Sequence, residues 1–162
     1  MISIRKYQLK EDANGRYHVK CYEIIPCPVC SDELNVIGTR YRKLTDNKDK
    51  KIIIVIRRMR CKGCKIIHHE LPDIIVPYKR ICAETIEKII DNKSEEIPCE
   101  TRTIHRIRAW WVTFTEYFRN IQISIIIKYG VEFSKGPAPK EIIRAVVNTH
   151  LWIHTRTAYL TG

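Results

Sequence analysis

The chain has 162 residues, with 29 Lys and Arg against 18 Asp and Glu, a formal net charge of +11, and seven cysteines. That length builds one domain or two small ones, and so lopsided a basic excess points to polyanion partners, nucleic acid or an anionic surface. The longest aliphatic run, residues 52–56, is strand length, far short of a membrane span. The start, Met1-Ile2-Ser3-Ile4-Arg5-Lys6, lacks the continuous apolar stretch of a leader. An odd cysteine count fits a reducing cytoplasm better than a disulfide scaffold.

In chain order, residues 2–9 and 16–24 read as two strands around an Asn14-Gly15 turn. Residues 34–45 and 50–59 read as a second strand pair. Asp46-Asn47-Lys48-Asp49 supplies the turn chemistry, and the run Ile52-Ile53-Ile54-Val55-Ile56 is β-branched throughout. Residues 66–69 continue as a further strand. Residues 71–79, with Pro72 and Pro77, are extended and pack by their apolar members. Residues 81–91 then carry Ile86, Ile89 and Ile90 at helical spacing. A long helix begins near Thr101, with Ile104, Ile107, Trp111, Phe114, Phe118, Ile121 and Ile125 on a heptad-like seam and Gly130 as its C-terminal cap. A break near Asn120 would divide it into two ordinary helices. The last helix is expected from Lys140 to about Thr155.

Two cysteine pairs, Cys27-Pro28-Val29-Cys30 and Cys61-Lys62-Gly63-Cys64, carry the clearest chemistry. A two-residue gap lets neighbouring thiolates point at one ion, and the thirty residues between the pairs suit a β-hairpin. The expectation is one structural Zn2+ per chain on Cys27, Cys30, Cys61 and Cys64. Four thiolates leave no open coordination position for catalysis. Unmetallated thiols or a redox dithiol are the alternative. His68 and His69 follow closely, but the ligand set is complete without them, so one is expected to pack and the other to be solvated. Gly63 is expected to permit the tight turn, and Lys62 and Lys65 to favour the thiolates.

The charge falls in blocks. Residues 38–65 hold eleven basic and two acidic residues, residues 66–100 four basic and eight acidic, and residues 101–162 nine basic and three acidic. In the hairpin block Arg40, Arg42, Lys43, Lys50, Lys51, Arg57, Arg58 and Arg60 suit phosphate contact. Tyr41 among them would stack on a base or be a partly buried strand tyrosine. Residues 81–111 have helix-turn-helix proportions, with a short turn at residues 94–97. Arg102, His105 and Arg106 lie on the helix face that would enter a major groove, with Arg108 at its border. An ordinary amphipathic helix with a solvated basic face gives the same pattern. At the C-terminal end Trp152, His154, Arg156 and Tyr159 cluster, either to touch phosphate or to cover the core. No Gly-rich phosphate loop and no set of carboxylates at the ends of α/β strands is present, so no catalytic role is expected.

The run Arg57-Arg58-Met59-Arg60-Cys61-Lys62-Gly63-Cys64, then residues 68–80, Cys82-Ala83-Glu84 and the ending of residues 154–162 resemble a family of transposase-like zinc-ribbon/helix-turn-helix proteins of Gram-positive bacteria and their mobile elements. The resemblance covers most of the chain and implies DNA association in a mobile-element setting. The expected fold class is α+β: an N-terminal antiparallel zinc ribbon (residues 1–80) followed by a helical, helix-turn-helix-like half (residues 81–162). The expected function is non-catalytic binding of duplex DNA by an accessory or regulatory protein. The alternatives are a protein-interaction module, through a partner or a homodimer on the helical half, an element-encoded inhibitor of a host nucleic-acid machine, or an RNA binder. No membrane role is expected.

Overall fold

The computed structural model of the chain describes residues 1–93, 97 and 99–153. Six strands and three helices follow in order: β1 (Ile2–Ile4), β2 (Tyr7–Glu11), β3 (Arg16–Cys21), β4 (Leu34–Thr45), β5 (Lys51–Cys61), β6 (Ile67–Pro72), α1 (Ala83–Ile90), α2 (Thr101–Tyr129) and α3 (Pro139–Asn148). The class is mixed α+β, with a curled sheet.

β5 organises the sheet. Its β-branched run buries Ile54, Val55 and Ile56, each contributing about 2 kcal/mol through apolar burial. β4 lies antiparallel along its whole length, from Leu34↔Cys61 to Thr45↔Lys51. The other edge is shared: β6 pairs antiparallel with Arg58–Arg60, and β3 pairs parallel with Ile53–Val55. β2 extends β3, and β1 pairs parallel with β6. The sheet is therefore not the purely antiparallel one expected from sequence. Two of its five pairings are parallel, joining strands that are distant in the chain.

The single strand expected over residues 2–9 is divided. The backbone N–H groups of Arg5 and Lys6 both donate to one oxygen of the Glu23 carboxylate, which turns the chain between β1 and β2. The other Glu23 oxygen accepts from Arg144 of α3 at 2.9 Å. One carboxylate thus ties the strand entry to the helical half.

α2 is a continuous helix of 29 residues, about 43 Å long, with no break at Asn120. Gly130 ends it in the left-handed conformation, φ 63°, and its N–H donates to Ile126. Its buried stripe is Ile107, Trp110, Phe114, Phe118 and Ile125. Trp110, not Trp111, takes the most buried indole position, and Trp111 packs at the margin. α3 stops at Asn148, short of the expected Thr155. Thr149 folds its hydroxyl back onto the Ala145 carbonyl at 2.8 Å, and His150 turns left-handed at φ 61°. Ten residues, 91–100, join α1 to α2, against the three or four of a compact helix-turn-helix turn. The short turn expected at residues 94–97 falls mainly outside the described residues, as do His154, Arg156 and Tyr159.

Two apolar cores result. One lies within the sheet around Ile4, Ile54, Ile56, Leu71 and Ile75. The other joins α1, α2 and α3 around Ile86, Ile107, Phe114 and Val146. Met1 packs against both, and Ser3 of β1 exchanges two hydrogen bonds with the Asn148 side chain of α3, at 2.6 and 3.1 Å.

Candidate metal centre and the cationic face beside it

The four cysteines named from spacing converge. The sulfurs of Cys27, Cys30, Cys61 and Cys64 all lie within 4.8 Å of one another. The closest approaches run between the two pairs: Cys27 to Cys64 at 3.6 Å and Cys30 to Cys61 at 3.3 Å. These are far longer than the roughly 2.05 Å of a disulfide. A tetrahedral ion with sulfurs at about 2.3 Å places them about 3.8 Å apart, so the donor set fits a four-coordinate metal with small adjustments.

Local structure explains the convergence. Cys61 closes β5, and its N–H donates to the Ile66 carbonyl at 3.0 Å, forming the second knuckle. In the first knuckle the Cys27 N–H donates to the Asp32 carbonyl at 2.9 Å and the Ser31 N–H to the Cys27 carbonyl at 2.8 Å. The knuckles are also tied to each other. The Lys62 N–H donates to the Glu33 carbonyl at 2.9 Å, and the Lys62 ammonium reaches the Glu33 carboxylate at 2.5 Å. A Cβ on Gly63 would sit 2.7 Å from an Asp32 carboxylate oxygen. A side chain there would require the exposed Asp32 carboxylate to shift, and Gly63 is not in a left-handed turn.

The thiols are not equivalent. The Asp32 amide and then the Cys61 sulfur pull the Cys30 thiol down to about 7. Against the pull of the Ile66 amide, burial and the neighbouring sulfurs push Cys64 up to about 12. The depressed thiol owes its shift to a backbone amide, not to Lys62 or Lys65, which are turned to Glu33 and to the Lys62 carbonyl. Metal binding at such a cluster displaces protons from the less acidic thiols.

His68 is fully buried, with Nε2 3.4 Å from the Cys27 sulfur and Nδ1 3.3 Å from the Met1 nitrogen. Burial, then the Met1 charge, push its pKa down to about 4, so the ring is neutral. The spacing of His68 from Cys64 hinted at the site, but only the fold shows that it supports a ligand. Replacing His68 with leucine is expected to weaken metal affinity by about 10- to 100-fold, measured by chelator competition; unchanged affinity would remove this role.

The candidate phosphate-contact residues separate into groups. Arg57 donates twice to the buried Glu70 carboxylate, at 2.6 Å each, so its guanidinium is engaged within the sheet. Lys50 and Lys51 are exposed at the hairpin turn, the end of β4–β5 opposite the cysteines. Arg60 is exposed, and Arg102, His105 and Arg106 are exposed on the first turns of α2. Arg108 lies against α1, its Nε 3.3 Å from the Ile89 carbonyl.

The remaining cations are brought together in a way the sequence does not show. Burial, and then Arg40, Arg42, the Met1 ammonium and Arg58, lower the pKa of His69. Burial and Arg40 lower that of Arg42. Burial and Arg106 push Lys79 down to about 8, and the Lys79 ammonium stands 4.1 Å over the Trp110 ring. A cationic strip therefore runs from β5 and β6 across β4 to the start of α2, with Lys79 as the link. Among the described residues, no ion pair involves Arg40, Arg42, Arg58, Lys79 or Arg106. Lys79 was missed because it lies in the Pro-containing segment, read only as a connection.

The fold and site define a mixed α+β protein built around a four-cysteine centre that could hold a metal ion. Residues 27–107, half of the chain, match the family model described as Domain of unknown function (DUF6431), and the chain belongs to that family. The match begins at the first metal-site cysteine and ends within α2, so it takes in both knuckles and the cationic strip. No curated protein and no solved structure matches the chain. No helix among the described residues is long and apolar enough to cross a membrane.

Proposed function

We propose that the protein binds DNA without catalysing a reaction on it, as an accessory or regulatory protein, and that its metal is a structural zinc ion. The cationic strip carries the reading. Burial first, and then neighbouring cations, lower the proton affinity of three groups: Arg40, Arg42 and Arg58 act on His69, Arg40 acts on Arg42, and Arg106 acts on Lys79. The fold thus holds like charges together at a cost that a polyanion would relieve. The all-sulfur, four-coordinate donor set supports zinc. The metal fixes the end of β5 that bears Arg58 and Arg60, so its role is to keep the phosphate-facing surface in shape. A zinc-ribbon reading of the knuckles, and a helix-turn-helix-like role for α1 and the start of α2, belong to this proposal. The resemblance of the 57–80 segment to transposase-like proteins supports a mobile-element setting.

The test is salt dependence. Five phosphate contacts give log K against log salt a slope of about −4 to −5 on duplex DNA. Arg42→Ala and Arg106→Ala are each expected to reduce that slope by about 1. Binding that is indifferent to salt, or to both substitutions, would overturn the reading.

A second reading has its own observation. Ile123, Ile126 and Ile127 of α2 are exposed at 69%, 42% and 80%, an apolar patch that suits a protein partner or a second copy. Light scattering of the purified chain that shows a dimer broken by Ile127→Glu, together with no DNA affinity, would favour it.

A further inference from the structure

Between the outer edge of β4 and residues 78–80 lies a cleft of about 500 Å³, within the size range of small-molecule sites. Arg42, Lys43, Lys79 and Arg80 supply four cations to its walls, Tyr41 and Tyr78 supply two aromatic rings, and no carboxylate among the described residues lines it. The buried residues Leu44 and Ile75 close its base. Two further observations make it more than a charged surface. The Arg42 Nε is buried and has no hydrogen-bond partner among the described residues, an unsatisfied cationic donor of the kind that normally meets an anion. Tyr78 keeps half of its surface open and holds a left-handed backbone, φ 61°, which is rare for a bulky residue and concentrates at ligand sites.

We propose that this cleft is a subsite for one unpaired nucleotide of a bound DNA, its phosphate held by Arg42, Lys79 and Arg80 and its base laid against Tyr78. The inference rests on the DNA-binding reading and adds a substrate class to it: duplex DNA bearing a single-stranded tail, or an unpaired base beside a duplex. A base stacked inside a duplex cannot reach an aromatic ring set in a cleft, whereas an unstacked one presents its whole face. Alternating cations and aromatics are the arrangement that tracks single strands.

The experiment compares a blunt duplex, the same duplex with a short thymidine tail, and a thymidine single strand, each titrated at one salt concentration. The tail is expected to strengthen binding by about tenfold. Tyr78→Asn removes the ring while suiting the left-handed backbone. It is expected to abolish the gain from the tail and leave blunt-duplex affinity within about twofold, and Tyr78→Trp to keep the gain. Equal binding of blunt and tailed duplex overturns the subsite alone, as does a Tyr78→Asn variant that loses affinity for both equally. Failure to bind any of the three DNAs overturns the subsite together with the DNA-binding reading.

Discussion

Replacing Cys61 with serine is expected to abolish stoichiometric metal binding and to loosen the cysteine-bearing end of the sheet, while helix content largely persists. Cys61 is the last residue of β5, and its backbone completes the ladder with Leu34 and the knuckle with Ile66. Its sulfur is the closest neighbour of Cys30, at 3.3 Å. With three thiolates the site loses one bond and its tetrahedral closure. Binding energies at structural four-ligand zinc sites are on the order of 10 kcal/mol, more than the typical net stability of a small domain. Neither apolar core counts a metal-site cysteine among its members, so the helices should survive while the knuckles and the start of β4 fray. Metal analysis, with thermal unfolding before and after chelation, checks this. A wild-type chain that holds no metal, or a melting temperature unmoved by chelator, would refute it.

Breaking the Arg57–Glu70 pair should have the next largest effect. Glu70 retains only 3% side-chain exposure, and Arg57 29%. Arg57→Ala leaves a carboxylate inside the sheet without its two donors, at a cost of about 3–5 kcal/mol. Glu70→Ala leaves a guanidinium that still reaches water, so its cost falls nearer 2–3 kcal/mol. The paired replacement Arg57→Met with Glu70→Leu removes both charges and is expected to recover most of the loss. Urea denaturation of the four proteins measures this. Equal losses in both single variants, with no recovery in the double, would show that the pair is solvated and unimportant. Because Arg57 is committed to this pair, DNA affinity measured on the paired variant should stay close to that of the parent.

The sequence was informative wherever a structural rule acts over a short stretch. The β-branched run of β5, the Asp46 to Asp49 turn and the CxxC spacing are local, and β4, β5 and the four sulfurs lie where that spacing puts them. The two ends of α2 were legible from Thr101 and Gly130, but not its continuity, since the same apolar period allowed a break near Asn120. What was not legible depends on groups far apart in the chain. Glu23 captures the Arg5 and Lys6 amides and divides the first strand. The parallel pairings of β1 with β6 and of β3 with β5 leave no mark in any one segment. His68 meets Cys27 only because β6 lies beside the first knuckle, and Lys79 joins the cationic strip only because residues 72–82 fold back along β4. The choice of Trp110 over Trp111 was beyond the pattern too, since one residue around the helix is enough to exchange adjacent indoles.

β1 is only three residues long, yet its hydrogen bonds reach β6 on one side and Asn148, 145 positions away, on the other. Contacts of such separation form late, because a long loop must close before they return any energy. Until β1 pairs with it, the outer edge of β6 is open, and an open edge is where strands of other chains can pair. A three-residue strand thus guards the sheet against its neighbours.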